Sequence, residues 1–368
     1  MGSDWLPAFA AVDRAAFLPD TVWPFDMATQ ASSVISKADD PEAWFQHADT
    51  DRPITTQWDD GNHHGCEPGR VATSSSSAPG VVFGMLQDLG VADGQRVLEI
   101  GTGTGWNTAL LAHRLGGANV TSLEVDPAVG GRARDALHRA GALATVAVAD
   151  GLFGYPQHAP YDRVLATCGV RDIPFAWVRQ SAAGGLIVAP WGTHFSNRDA
   201  VARLTVADDV KSATGYFTGP VEFMKVRSQR LPPVRHAAYV PERFHRTADI
   251  STTTLTAQDG FDDRFGPFLF VAGLRVPHCL HAGDARGSAR SDWFYSLSDL
   301  SWAAVLFQDG TPESTVYQAG PRRLWDEVEA AYDWWDGQGR PGLSRFGLTV
   351  TAEGQDAWLD DPAASWPV

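Results

Sequence analysis

The chain has 368 residues, 44% of them hydrophobic, a formal net charge of −15 and three cysteines. That length suits one large domain or two ordinary ones with a real core, and no apolar stretch approaches a membrane span. The acidic balance, with no run rich in lysine or arginine, argues against a nucleic-acid partner. Cys66, Cys168 and Cys279 are far apart and odd in number, which fits a reducing cytoplasm rather than a disulfide framework. The opening MGSDWLPAFAAVDR lacks a basic segment and an apolar run, so a secretory signal is not expected and the location is read as cytoplasmic.

Residues 1–70 are irregular, with one short helical pattern from Trp5 to Phe17, and are read as an N-terminal extension covering the active site. They end in GNHHGCEPG. His63, His64 and Cys66 form an H-H-x-C spacing, but a metal site needs three or four ligands and no second cluster accompanies it, so no metal is expected. Next comes RVATSSSSAPG, residues 70–80. Serine runs often mark linkers or helix caps. This one leads directly into VVFGMLQDLG, which reads as a helix, so a linker, a cap and part of a site are all open at this point.

Residues 71–230 alternate short apolar runs with amphipathic stretches, the pattern of β-α units around a largely parallel sheet with helices on both faces. The runs are RVLEIG, NVTSLEV, ATVAVA, YDRVLAT and GGLIVAP; TALLAHRL and AVGGRARDALHRAG are helical segments between them. Residues 231–368 lose that rhythm, hold half of the fourteen tryptophans, and read as an extra α+β region. Within them RRLWDEVEAAYDWWDGQGRP places Leu324, Val328, Ala331 and Trp335 on one helical face, and RFGLTVTAEGQ alternates as a strand. The tryptophans are read as core and helix–sheet packing, with a peptide-binding groove as the alternative.

The chemistry is carried by RVLEIGTGTGWN, Arg96 to Asn107. A buried strand runs into Gly101, Thr102, Gly103 and Gly105, followed at once by Trp106, Asn107 and a helix. Glycines suit a tight turn with a ligand lying against bare backbone. Alone this is a weak signal. It is strengthened by Glu124, which closes the second strand beside Val125, 23 residues after Gly101, where a carboxylate can hold ribose hydroxyls. Asp150 and Gly151 close the third strand, where an adenine edge can be held. The GxGxG spacing, with Glu99 in the strand, resembles the class I S-adenosylmethionine-dependent methyltransferases, with their Rossmann-like α/β fold, more than the dinucleotide enzymes.

Over roughly residues 10–230 the order of segments resembles the protein L-isoaspartate O-methyltransferase family. VDRAAFLPD, DRPITTQWDDG, Ser77-Ala78-Pro79, RVLEIGTGTGW, SLEVD, VADG, APYDRVLAT, QSAAGGLIVAPWG and GPVEFMKVRS, the last matching a strand near that family's end, follow in the expected order. The resemblance implies S-adenosyl-L-methionine as cofactor, S-adenosyl-L-homocysteine as product, and Ser77 between cofactor and substrate. It makes the serine run an active-site loop that also caps the helix from Pro79. Thr73, Ser74, Ser75 and Ser76 depart from the family, which carries isoleucine or similar residues there, and imply a differently furnished acceptor pocket; Thr73, Ser74, Ser76 and Ser77 are the candidate catalytic residues.

With the C-terminal region and the histidine-bearing segment, this resembles the actinobacterial branch of the family associated with ribosomally made peptides, the lanthipeptides and graspetides. There an aspartate side chain of a constrained precursor peptide is methylated and the ester closes to an aspartimide. Repair of isoaspartyl residues, a non-catalytic cofactor-binding scaffold and small-molecule methylation are the competing readings. The expected partner is a precursor or isoaspartyl peptide, with neither nucleic acid nor membrane. Because a carboxylate is already ionised near neutrality, hydroxyl donors are expected to suffice at the acceptor; a lysine or arginine there is not.

Overall fold

The computed structural model describes residues 3–287 and 289–368. Its first seventy residues carry helix α1 (Leu6–Ala11), strands β1 (Thr21–Asp26), β2 (Ala31–Ser32) and β3 (Ile35–Ser36), helix α2 (Pro41–Ala48) and strand β4 (Ile54–Trp58). Asp40 starts α2 by accepting from the Ala43 N–H, with Pro41 in the first turn, a position where the missing proline N–H costs nothing. Val22, Trp44 and Ile54 form the small core beneath.

The serine run is a strand, β5 (Ala72–Ser76), antiparallel to β4 with Thr55 opposite Ser75 and Ile54 opposite Ser76. This corrects the expected loop and cap. Helix α3 (Pro79–Leu89) has no side-chain cap from a serine; Asp51 Oδ1 accepts from the Gly80 N–H at 2.7 Å instead. The carboxylate sits at the positive end of the helix, where it is favoured.

The β-α alternation follows as expected: β6 (Val97–Ile100), α4 (Trp106–Leu115), β7 (Val120–Glu124), α5 (Pro127–Arg139), β8 (Thr145–Val148), β9 (Tyr161–Ala166), α6 (Phe175–Arg179) and β10 (Ser181–Trp191), then the antiparallel β11 (Asp199–Val206) and β12 (Ser212–Val221). The five strands β8-β7-β6-β9-β10 are mutually parallel. Successive side chains point to opposite faces. Val97, Leu165 and Val188 therefore meet α3 and α4 on one side, while Leu98, Val164 and Ile187 meet the C-terminal helices on the other. GPVEFMKVRS is strand only as far as Val221; beyond it Lys225 makes an isolated bridge to Gly169.

The last third holds α7 (His236–Tyr239), β13 (Asp249–Thr253), α8 (Phe268–Arg275), β14 (Cys279–Arg286), β15 (Ala289–Ser296), β16 (Trp302–Gln308), β17 (Ser314–Ala319), α9 (Leu324–Gly337), β18 (Phe346–Thr351), β19 (Gln355–Leu359) and β20 (Ser365–Pro367). β13 to β17 form their own five-stranded sheet, whereas β18 to β20 join β12 and extend the central sheet to ten strands. Helices α8 and α9 lie between the two sheets, Phe268, Val271, Leu324 and Val328 sharing one apolar cluster with Val164 and Phe294. Trp325 and Trp335 are buried in that packing, Trp302 lies in a separate cluster with Val240 and Tyr295, and the buried Trp358 packs edge-on against Tyr216. Among the described residues no helix is long and apolar enough to cross a membrane.

Candidate active site

The strand-to-helix turn after β6 lies over the carboxyl end of the parallel sheet. Gly101 has φ +95°, a region most side chains avoid, and its N–H and that of Thr102 both donate to the Leu123 carbonyl, at 2.8 and 3.1 Å. The Gly103 N–H donates to Glu124 Oε2 at 2.9 Å. The amides of Gly101, Thr102 and Gly103 are thus satisfied on β7, and those of Gly105 and Trp106 within the loop by Thr102 and Thr104, which leaves no cradle for a diphosphate. The end of β7 offers instead the Glu124 carboxylate, which also accepts from the Asp126 N–H, next to Val125, an apolar side chain left 45% exposed. The exposed Asp150 follows β8 and accepts from the Leu152 N–H, and a Cβ on Gly151 would fall 2.4 Å from Ile100, so only glycine fits. Two carboxylates flanking an apolar face, without phosphate donors, suit a nucleoside with free hydroxyls and an amino group. S-Adenosylmethionine fits that donor set.

Beneath the loop, Glu99 is fully buried and accepts from Asn107 Nδ2 at 2.6 Å and from Thr108. Burial pushes its pKa up, and the hydrogen bonds from Ser122, Thr108 and Asn107 act against that shift. Asn107 therefore ties the first turn of α4 to β6. Trp106 is buried and its indole N–H donates to the Val12 carbonyl. Burial likewise raises Glu124, the amides of Asp126 and Gly103 opposing it.

The serine strand crosses this loop. A Cβ built on Gly103 would lie 3.4 Å from the Ser75 carbonyl. Thr73 donates to Gln57 Oε1 at 2.9 Å and accepts from the Asp60 N–H, and Ser74 accepts from Thr56 at 3.1 Å. The Ser76 hydroxyl accepts from Arg14 Nε at 2.9 Å. Ser75 and Ser77 make no side-chain hydrogen bond to the described residues, so their hydroxyls are the unengaged ones. Arg14, itself buried, also donates to the carbonyls of Ala48, Thr50, Arg52, Ser76 and Ser77. Burial pulls its pKa down to about 10, with Asp51 and Asp49 acting the other way, so it stays charged at neutral pH.

These parts line one cavity of about 1690 Å³. Thr73, Ser74, Ser76, Ser77, Gly101, Thr102, Gly103, Trp106, Asn107, Glu124, Val125, Asp150 and Gly151 all reach it. Gly105 does not line it and packs against Ala133 and Leu137 of α5. The wall is completed by Asp60 of the N-terminal part and by Val234, Phe265 and Leu280 of the last third. Arg227 bridges two of the parts, meeting Asp60 Oδ1 at 2.9 Å and Asp126 Oδ2 at 2.8 Å; Gln57 adds a hydrogen bond to Asp126.

Sequence reasoning missed Arg14, Gln57, Asp126 and Arg227, and also Lys225 and Arg171, two basic side chains on a cavity expected to use hydroxyls alone. His63 hydrogen-bonds the Glu67 carbonyl and Cys66 is exposed; among the described residues no group of three or more His, Cys, Asp or Glu side chains is placed to hold a metal ion.

Residues 57–229 match the family Protein-L-isoaspartate(D-aspartate) O-methyltransferase (PCMT). A protein-L-isoaspartate O-methyltransferase of Anaeromyxobacter dehalogenans (strain 2CP-C) is 39% identical over 159 residues, which are 43% of this chain and 73% of that protein. One of Methanoculleus marisnigri is 44% identical over 117 residues, 32% of this chain and 52% of that protein. A solved structure named protein-L-isoaspartate O-methyltransferase superposes with a TM-score of 0.53 at 20% identity, covering 98% of this chain and 96% of its own. The likeness to that structure is one of fold, and it extends through the last third. The C-terminal region therefore does not in itself set this fold apart from a protein of that name. The chain belongs to the protein-L-isoaspartate O-methyltransferase family of S-adenosylmethionine-dependent carboxyl O-methyltransferases.

Proposed function

We propose that the chain methylates the free carboxylate of an isoaspartyl residue in a peptide or protein. The observation that carries this reading is the approach of the serine strand to the glycine loop, with the Ser75 and Ser77 hydroxyls unengaged on the same cavity as Glu124. In this reading Gly101, Thr102, Gly103, Glu124, Val125, Asp150 and Gly151 hold S-adenosylmethionine, with Gly105, Trp106 and Asn107 shaping the loop. The bound cofactor supplies a methyl group on a sulfonium, open to in-line displacement by a carboxylate oxygen.

The chain's own contribution is alignment and the exclusion of water. An acceptor carboxyl with an ordinary pKa near 4 needs no general base, and pre-arranged partners can account for about 7–11 kcal/mol of barrier. Ser77 and Ser75 donate to the carboxylate without protonating it. Ser74, Ser76 and Thr73, whose hydroxyls are already engaged, fix the strand. Residues 231–368 provide a wall for the peptide, and the three unpaired cysteines suit a reducing compartment such as the cytoplasm.

A second reading is methylation of an ordinary aspartate in a constrained precursor peptide of the lanthipeptide or graspetide kind, the ester closing to an aspartimide with loss of methanol. The size of the cavity and the hydroxyl-rich strand favour it. Mass spectrometry with S-adenosylmethionine and two acceptors in parallel separates the readings. Methyl gain on a simple isoaspartyl peptide supports the first. Methyl gain followed by net loss of water, on a cyclised aspartate peptide alone, replaces it with the second. Neither product, with cofactor still bound, turns attention to small molecules or a non-catalytic scaffold.

A further inference from the structure

The chain has three lysines among 29 lysines and arginines. Lys37 lies over the Trp44 ring and Lys211 is exposed. Lys225 is different: it is 8% exposed and lines the cavity. Its ammonium meets Asp199 Oδ2 at 2.5 Å, and Asp199 is almost wholly buried. A Cβ built on Gly169 would lie 3.2 Å from Lys225 Nζ. One and two residues earlier, Cys168 and Thr167 lean over Gly101, at 3.5 and 3.0 Å from a Cβ built there. The ammonium is thus packed under the same short segment that covers the glycine loop.

An ammonium carries three donors. One is used on Asp199, and no other protein acceptor among the described residues takes the remaining two. Burial draws the lysine's pKa down while Asp199 acts to raise it, and burial raises Asp199 in turn. Desolvating two charges is seldom repaid in stability, so such a pair is weak evidence for a structural strut. Arg171, also buried on this cavity, adds a positive charge nearby; its Nε is engaged by the Gln229 carbonyl and its Nη1 by that of Thr193.

We propose that Lys225 binds the acceptor carboxylate with its two unengaged N–H groups, as a substrate-positioning group held in place by Asp199. This rests on the carboxyl-methylation reading and deepens it. A bare cation would hold an anion too firmly before reaction. Asp199 cancels the charge of Lys225, leaving directed donors without a deep electrostatic well. As the oxygen–methyl bond forms and the sulfur–methyl bond breaks, the carboxylate becomes a neutral ester. Lys225 keeps all its protons, and the neutral product is held less well, which favours release.

The test has a kinetic arm and a binding arm. In the first, Lys225→Met and Lys225→Arg are assayed with an isoaspartyl peptide. The expected result is a peptide KM raised about tenfold or more for Lys225→Met, with cofactor affinity unchanged and partial recovery in Lys225→Arg. In the second, protein labelled with ¹⁵N-lysine and saturated with S-adenosylhomocysteine is titrated with succinate. Only three Nζ resonances are present, and that of Lys225 is assigned by its absence in Lys225→Met. It should shift saturably while those of Lys37 and Lys211 stay. No shift, or a shift with peptide KM unmoved, overturns the role of Lys225. A saturable shift in a wild-type protein that methylates no isoaspartyl peptide supports the carboxylate subsite and overturns the isoaspartyl reading instead.

Discussion

Arg14 and Ser76 are 62 positions apart, and the Arg14 Nε donates to the Ser76 hydroxyl at 2.9 Å in a buried contact. The same guanidinium gathers five backbone carbonyls from residues 48–52 and 76–77. Residues 48–52 connect the end of α2 to β4 and residues 76–77 close β5, so strand pairing alone does not hold the two segments in this way. Arg14→Ala would deprive five carbonyls of their donor, two of them, Ala48 and Ser76, in buried contacts and three in part-buried ones. Loss of about 3–5 kcal/mol is expected, with Arg14→Lys intermediate because an ammonium lacks the planar fork. Chemical denaturation measures it directly; a midpoint unchanged in Arg14→Ala would show that these carbonyls find water instead.

The serine strand separates into engaged and unengaged hydroxyls, and the variants should separate with them. Ser77→Ala is expected to lower kcat about tenfold with cofactor affinity intact, since only a contact to the acceptor is removed. Ser76→Ala removes an acceptor of Arg14 and should cost about 1–2 kcal/mol of stability, with a smaller kinetic effect. Paired measurement of kcat and denaturation midpoint reads both. Normal turnover in Ser77→Ala would reduce that hydroxyl to a spectator.

Glu124→Ala should weaken S-adenosylhomocysteine binding by roughly ten- to a hundredfold, the value of charge-assisted hydrogen bonds of about 1.5–3 kcal/mol. The carboxylate also receives the Gly103 and Asp126 amides, so part of the loss is that of a fixed loop. Glu124→Gln, which keeps the shape but halves the acceptors, should fall between. Calorimetric titration giving wild-type affinity for Glu124→Ala would remove it from the cofactor site.

The parallel core was legible in the sequence because its signals are local. Val97–Ile100 and Val120–Glu124 are short, wholly buried strands closed by glycine or acid, and Leu324, Val328, Ala331 and Trp335 mark a helical face that the fold buries. Serine favours loops and caps alike, and nothing local in the serine run shows that Ile54–Trp58 will pair with it. Asp51 as the cap of α3 lies 29 positions from Gly80, beyond any capping motif. Arg14 and Arg227 act through contacts still more distant in sequence. Lys225 did carry a signal, a rare lysine among the apolar residues Phe223, Met224 and Val226. An ionised carboxylate acceptor needs no cation, so the chemistry alone gives that lysine no role.

Arg227 joins Asp60, on the N-terminal wall, to Asp126, which caps α5 through the amides of Ala128 and Val129. Burial acts to raise Asp126, but the hydrogen bonds from Arg227, Val129, Gln57 and Ala128 outweigh it and hold the pKa at about 2. Its unfolded value is about 3.9. A depressed carboxylate stabilises the fold above the unfolded pKa, and that contribution is lost as pH falls through the folded one. The full depression corresponds to about 2.5 kcal/mol, of which one ion-paired hydrogen bond accounts for about 1 kcal/mol. Arg227→Ala should therefore be less stable than wild type by about that amount at pH 7 and pH 5. The gap should narrow as pH falls from 4 to 2, where Asp126 in the wild type is about half protonated. Denaturant midpoints at pH 7, 5, 3 and 2 follow it. A gap that persists undiminished at pH 2 would mean that Arg227 acts through packing of its stem rather than through the Asp126 charge.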